Sequence, residues 1–230
     1  MLKQISRGLQ TLVSHPLRDL VLEVGSGANP TLSTDDVHRY GLRYITSDRD
    51  LSELSKADPV YEARCVDLEN GPIPDDLLGR CDLIFSRMVN EHIRDGRRYH
   101  ANIYDMLSPG GVAVHAFSTL YTLPFLANHL MPSQLGNGLL NFFAPRDRHQ
   151  HEKFQAYYSW SRGPTSHAIR QFRQLGYHVV SYDGYFGHTY YRNRMPLLDR
   201  LEQAKARLLL TLRLPLFCSY ATIVLRKPIG

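Results

Sequence analysis

The sequence predicts an α/β domain built on a doubly wound, mostly parallel sheet. Three observations carry this expectation. Apolar runs of strand length alternate with stretches of helical periodicity along most of the chain. The first run closes directly on a glycine turn, Gly25-Ser26-Gly27. The chain has 230 residues, 43% of them hydrophobic, which suffices for one buried core.

In chain order, residues 2–14 place Ile5, Leu9, Leu12 and Val13 on one side of an amphipathic lead-in helix. DLVLEVGSG is a buried strand followed by a tight turn. LRYITSD, VYEARCVD and CDLIFS are the second to fourth strands. Residues 95–107 read as a helix, and SPGG then breaks the chain before the strand VAVHAFS. Arg162–Leu175 reads as a helix ended by Gly176. YHVVSYDG is a sixth strand, residues 196–212 a long helix, and CSYATIVLRKP the last strand. The segment 119–161 breaks the alternation. It is rich in proline, glycine and aromatic residues, and reads as an insertion over the carboxyl edge of the sheet, where such folds bind ligands.

Composition narrows the function classes. The formal net charge of +5 suits an anionic acceptor, nucleic acid or a membrane surface, but a solvated basic face is the plainer reading. Three widely spaced cysteines, Cys65, Cys81 and Cys218, argue against a disulfide scaffold or zinc site and suit a reducing cytoplasm. The first residues are too interrupted by polar groups for a signal peptide. No run approaches the ~20 apolar residues of a membrane span.

The strongest chemical signal is Leu22-Glu23-Val24-Gly25-Ser26-Gly27-Ala28-Asn29-Pro30. Its glycines allow a sharp turn and close backbone approach to a ligand. A dinucleotide fingerprint would be G-x-G-x-x-G facing a pyrophosphate. Here Pro30 stands in place of the third glycine, and Glu23 would repel phosphate but suit an ammonium group. Asp48 ends the second strand about 20 residues later, where a carboxylate can accept hydrogen bonds from ribose hydroxyls. It could equally cap a helix, although Asp50 is the better cap.

These residues resemble the first motifs of the class I S-adenosylmethionine-dependent methyltransferases, and the later strands extend the resemblance over most of the chain. It implies a Rossmann-like, seven-stranded sheet with an antiparallel last strand, and S-adenosyl-L-methionine as cofactor. It places Glu23, Gly25, Ser26, Gly27 and Asp48 at the cofactor. Asp67 and Leu68 would meet the adenine, although Asp67 could simply form a turn. The fourth strand ends CDLIFSRMVNEHIRD, which resembles the family's fourth motif and puts Ser86, Arg87 and Met88 beside the methionine part. The N/D-P-P-Y/F motif of base-amine methylases is missing, so no nucleic-acid substrate is expected.

The insertion carries RDRHQHEKF followed by Tyr157, Tyr158 and Trp160. An H-x-H pair without a third ligand at metal spacing is weak support for a metal, and none is expected. Rings for stacking beside Arg and His suit a sugar. The segment HEKFQAYYSWSRGPT resembles bacterial methyltransferases associated with glycan and cell-surface polysaccharide synthesis. Methyl transfer to a hydroxyl benefits from a base near neutral pKa, and His151 or His149 is the expected one, ahead of His115 and His92. The alternatives are a small-molecule or lipid methylase and a non-catalytic S-adenosylmethionine-binding protein. The stretch 194–216 mixes leucines with Arg and Lys, and would serve peripheral membrane contact, a homodimer or packing on its own sheet.

Overall fold

Every residue of β1 (Leu20–Val24) is buried, as expected of a central strand covered on both faces. The structure, a computed structural model, describes residues 20–120, 155–186, 196–212 and 214–229. β1 pairs in parallel with β2 (Arg43–Asp48) on one side and β4 (Cys81–Arg87) on the other. β3 (Glu62–Cys65) extends the sheet beyond β2, and β5 (Leu107–Ser118) extends it beyond β4. β7 (Tyr220–Arg226) runs antiparallel between β5 and β6 (His178–Tyr185), giving the order β3-β2-β1-β4-β5-β7-β6. This is the expected seven-stranded, Rossmann-like sheet, with one strand reversed.

Alternation sorts each strand between two layers. Leu20, Leu22 and Val24 face a core shared with Tyr99, Ile103 and Met106 of α3 (Gly96–Met106) and Phe172 of α4 (Ser166–Gln174). Val21 faces the other layer, with Leu32, Tyr44, Leu83, Phe85, Val112 and Val114. Two short helices, α1 (Thr34–Tyr40) and α2 (Leu51–Leu54), follow β1 and β2. Asp50 caps α2 by accepting a hydrogen bond from the Ser52 N–H, which leaves Asp48 to the glycine turn.

Two boundaries differ from the sequence reading. SPGG does not end an element. β5 begins at Leu107 and passes through it with a register irregularity, Cys81 pairing Leu107 and Leu83 pairing Val112. α4 begins at Ser166 rather than Arg162, because Gly163-Pro164 disfavours helix and Thr165 caps the Ala168 N–H. The long helix before β7 is α5 (Pro196–Thr211). Residues 2–14 and most of the 119–161 insertion lie outside the described residues.

Candidate active site

β1 and β4 are neighbours, but the chain leaves them in opposite directions across the sheet, so a crevice opens at their carboxyl ends. There a cleft with an empty volume of about 710 Å³, its open mouth included, is walled by Gly25, Asp48, Asp67, Leu68, Met88 and His92, with Tyr99 in its lining.

The glycine turn is tacked to the end of β2. The Gly25 and Ser26 N–H groups both donate to the Ser47 carbonyl, at 2.7 and 3.0 Å. The Gly27 N–H donates to Asp48 Oδ2 at 3.1 Å, and Asp48 Oδ1 accepts from the Asp50 N–H at 3.0 Å. Asp48 therefore holds two backbone segments while facing the cleft. Gly25 has φ of +70°, a left-handed conformation, and a Cβ placed there would meet the Val89 side chain at 2.3 Å. Only glycine leaves the backbone open to a ligand at this point.

Beyond β3, Asp67 forms a tight turn. Its Oδ1 accepts from the Glu69 and Asn70 N–H groups, and Oδ2 from Asn70 Nδ2. Burial alone would raise this carboxyl, but the bonds from Asn70 and Glu69, with Arg49 nearby, hold it below the usual carboxylate range. Val66, Leu68 and Ile93 supply an apolar slot beside it.

β4 leaves the sheet through Met88, whose φ of 60° turns the chain sharply, and its N–H donates to the Ala116 carbonyl. A 3₁₀ turn over Asn90–His92 follows. This turn gathers chain from two other places. Glu91 Oε1 accepts from the N–H and the hydroxyl of Ser118, at the end of β5. The Glu91 carbonyl accepts the N–H groups of Tyr157 and Tyr158, and His92 Nδ1 lies 3.1 Å from the Gln155 carbonyl. The aromatic segment 155–161 is thus fastened next to the cleft wall.

The expected site residues divide accordingly. Gly25, Asp48, Asp67, Leu68 and Met88 come together in the cleft lining. Glu23, Ser26, Gly27, Ser86 and Arg87 do not line it. Glu23 is buried on the Val21 side of β1, where its carboxylate accepts from the Thr31 N–H and hydroxyl and from the Tyr44 hydroxyl. It braces the chain after the glycine turn. Ser86 is buried beneath the cleft, bonded to Asn90 and, at 2.8 Å, to His115 Nδ1.

His115 is fully buried, its ring centroid 5.1 Å from that of His100. Burial pushes it down to about 3, so it is a neutral core histidine and not a base near neutrality. His149 and His151 lie outside the described residues. The sequence reading left Arg49, Glu69, Val89, Ile93 and Tyr99 out of the lining. Helical spacing from Tyr99 to Ile103 and Met106 marks the inner face of α3, but not which of the three reaches the cleft.

Residues 22–115, which run from within β1 through the glycine turn to within β5, match the family model described as a methyltransferase domain. The fold is similar to phosphoethanolamine N-methyltransferase 2 of Haemonchus contortus, solved in complex with S-adenosyl-L-methionine. The TM-score is 0.59 and the identity 15%, over 98% of this chain and 52% of that one. It is also similar to a Haloferax volcanii complex of the Trm112 methyltransferase activator with its methyltransferase (TM-score 0.61, 16% identity, 98% and 89% of the two chains). A third similar structure is a SAM-dependent methyltransferase from Archaeoglobus fulgidus (TM-score 0.55, 12% identity, 99% and 95%). The chain spans about half the length of the first of these. A search of curated proteins found no significant match.

Proposed function

We propose that this S-adenosylmethionine-dependent methyltransferase transfers its methyl group to a hydroxyl of a sugar, a glycan or a related small acceptor. The observation that carries this reading is the fastening of segment 155–161 against Glu91 and His92, which leaves the Tyr157 ring exposed beside the cleft wall while Tyr158 and Trp160 pack inward. Aromatic faces stack on the apolar faces of sugar rings, and a histidine next to them serves a hydroxyl.

The cleft fits the cofactor. Gly25 is a cradle that a Cβ would fill, Val66, Leu68 and Ile93 form a slot for a flat ring, and Asp48 offers carboxylate oxygens at the strand end for ribose hydroxyls. Bound there, the cofactor supplies an electrophilic methyl on a sulfonium. The protein's share is to align the acceptor oxygen with that methyl and to remove the hydroxyl proton. The turn Met88–His92 sets one wall of the path, and the insertion holds the acceptor. His151 or His149 takes the proton, with His92 the alternative from the cleft wall. We place the reaction in a reducing cytoplasm, a setting that three widely spaced free cysteines support.

The test is transfer of an isotopically labelled methyl from S-adenosylmethionine to a panel of acceptors, read by mass spectrometry. Methyl ethers on saccharide hydroxyls are the expected products. Transfer confined to amines, thiols or carboxylates would overturn the acceptor class, and cofactor binding without transfer to any acceptor would overturn the catalytic reading.

A further inference from the structure

α5 presents its polarity the wrong way round for a helix in water. Its inward positions are Glu202, 2% exposed, and Ala206, 6% exposed. Four leucines point outward in one row: Leu197 is 72% exposed, Leu201 60%, Leu208 57% and Leu212, just past the helix, 55%; Leu210, 58% exposed, lies off that row. These four are spaced by four, seven and four residues, so at 3.6 residues per turn they form one stripe along the helix. The hydrogen bond from the Leu212 N–H to the Leu208 carbonyl carries the helical path to the end of the stripe. Exposed Leu214 and Phe217 follow at the next turn.

The charges are arranged just as unevenly. Lys205 is engaged by Glu202 at 2.7 Å, and Asp199 is partly buried. The exposed charges among the described residues of α5 are therefore Arg200 and Arg207, seven residues apart and so on one side, along the edge of the leucine stripe. No exposed carboxylate on the helix accompanies them. An outward apolar stripe edged only by arginines matches a surface with an apolar interior and an anionic face. A second copy of the chain fits it less well, since joining two stripes would bring four guanidinium groups to one seam with no exposed acid on either helix. No described helix is long and apolar enough to cross a membrane, so contact would be lateral.

We propose that α5 is a membrane-docking helix that lies in the interface of anionic bilayers, with Leu197, Leu201, Leu208 and Leu212 in the acyl boundary and Arg200 and Arg207 at the headgroups. This goes beyond the acceptor assignment and is tested without turnover. The full chain is floated with phosphatidylcholine vesicles, with and without phosphatidylglycerol. The native protein is expected to float with the anionic vesicles and to be released by salt. Leu201→Glu combined with Leu208→Glu should abolish flotation. Arg200→Ala combined with Arg207→Ala should lower partitioning by about thirtyfold, as expected for two headgroup-level arginines. Calorimetry with S-adenosylhomocysteine and circular dichroism confirm that each variant is folded. A folded native chain that fails to float, or one whose flotation is indifferent to both pairs of substitutions, overturns the proposal. So does a dimer in sedimentation that becomes monomeric in the leucine variant, which would assign the stripe to a second copy.

Discussion

Val89 lies directly over Gly25: its Cγ2 is 2.3 Å from where a Cβ on that glycine would sit. The contact joins the glycine turn after β1 to the turn after β4, and both residues line the cleft. Gly25→Val would meet two penalties. A left-handed φ costs a non-glycine residue about 1–2 kcal/mol, and overpacking adds about 1–3 kcal/mol. The expected outcome is a lowered melting temperature and no heat of binding with S-adenosylmethionine or S-adenosylhomocysteine. A Gly25→Val protein that binds the cofactor normally would remove this turn from the site.

Asp48 accepts backbone hydrogen bonds from Gly27 and Asp50 while facing the cleft. Removing it with Asp48→Ala strands both N–H groups and removes the acceptor for the ribose. Cofactor affinity should fall by about 1–3 kcal/mol, with the fold retained. Titration calorimetry measures this. Asp48→Asn, which keeps one acceptor oxygen, should fall between the two. Equal affinity in folded Asp48→Ala would leave the residue a purely structural clasp.

His115 and His100 make stability depend on pH. Burial depresses both, His115 to about 3 and His100 well below its ordinary 6.5, the latter helped by the proximity of His115. The unfolded chain therefore binds protons that the folded chain refuses. Stability from both histidines is complete above about pH 6.5 and declines as pH falls below it, for His115 down to about 3. Glu91 has the opposite sign. Burial raises its carboxyl, so its folded form keeps a proton that the unfolded chain has lost, and its contribution weakens as pH rises past the ordinary carboxylate range. Urea midpoints at pH 5 and pH 7 should differ in the native chain and differ less in His115→Gln. An unchanged difference would mean that His115 is protonated in the folded state.

Acceptor deprotonation is assigned to the insertion. His151→Ala should lower kcat by roughly 100-fold with little change in cofactor affinity, and His149→Ala serves as its pair. Steady-state kinetics with the methylated acceptor class decide between them. If both variants keep full kcat, His92→Ala is the next to lose it, because His92 stands on the cleft wall.

What could be read in advance was local. Apolar runs marked the strands because burial on both faces leaves no polar alternation to interpret, as in β1. Asp50 was legible as a cap because capping acts within three residues. Asp48 was legible because the strand end is a topological position. What the sequence did not show depends on partners far along the chain. Glu23 finds Thr31 and Tyr44, and Ser86 finds His115, neither of which any local pattern announces. The side of β5 on which His115 falls follows from register, and Ala113 and Phe117 show it to be the α3 side. α1 escaped notice because none of its residues is buried, so it carries no apolar period, only the Ser33–Asp36 capping box. Trp160 packs where a side chain on Gly96 would stand, at 2.6 Å, a fit between residues that the sequence keeps well apart.

Glu91 has a consequence for how such a protein changes over time. Its side-chain carboxyl holds Ser118 and its carbonyl holds Tyr157 and Tyr158, so the chain that leaves β5 at Ser118 is fastened to the same residue where it returns. A segment anchored at both ends on one point is an exchangeable cassette. Doubling its length costs only about 0.6 kcal/mol of closure entropy, and none of the strand pairings between β1 and β5 has to shift. Under the proposed function, descendants of this chain can trade one acceptor for another by rewriting the segment between these anchors, while the sheet and the cofactor cleft are inherited whole.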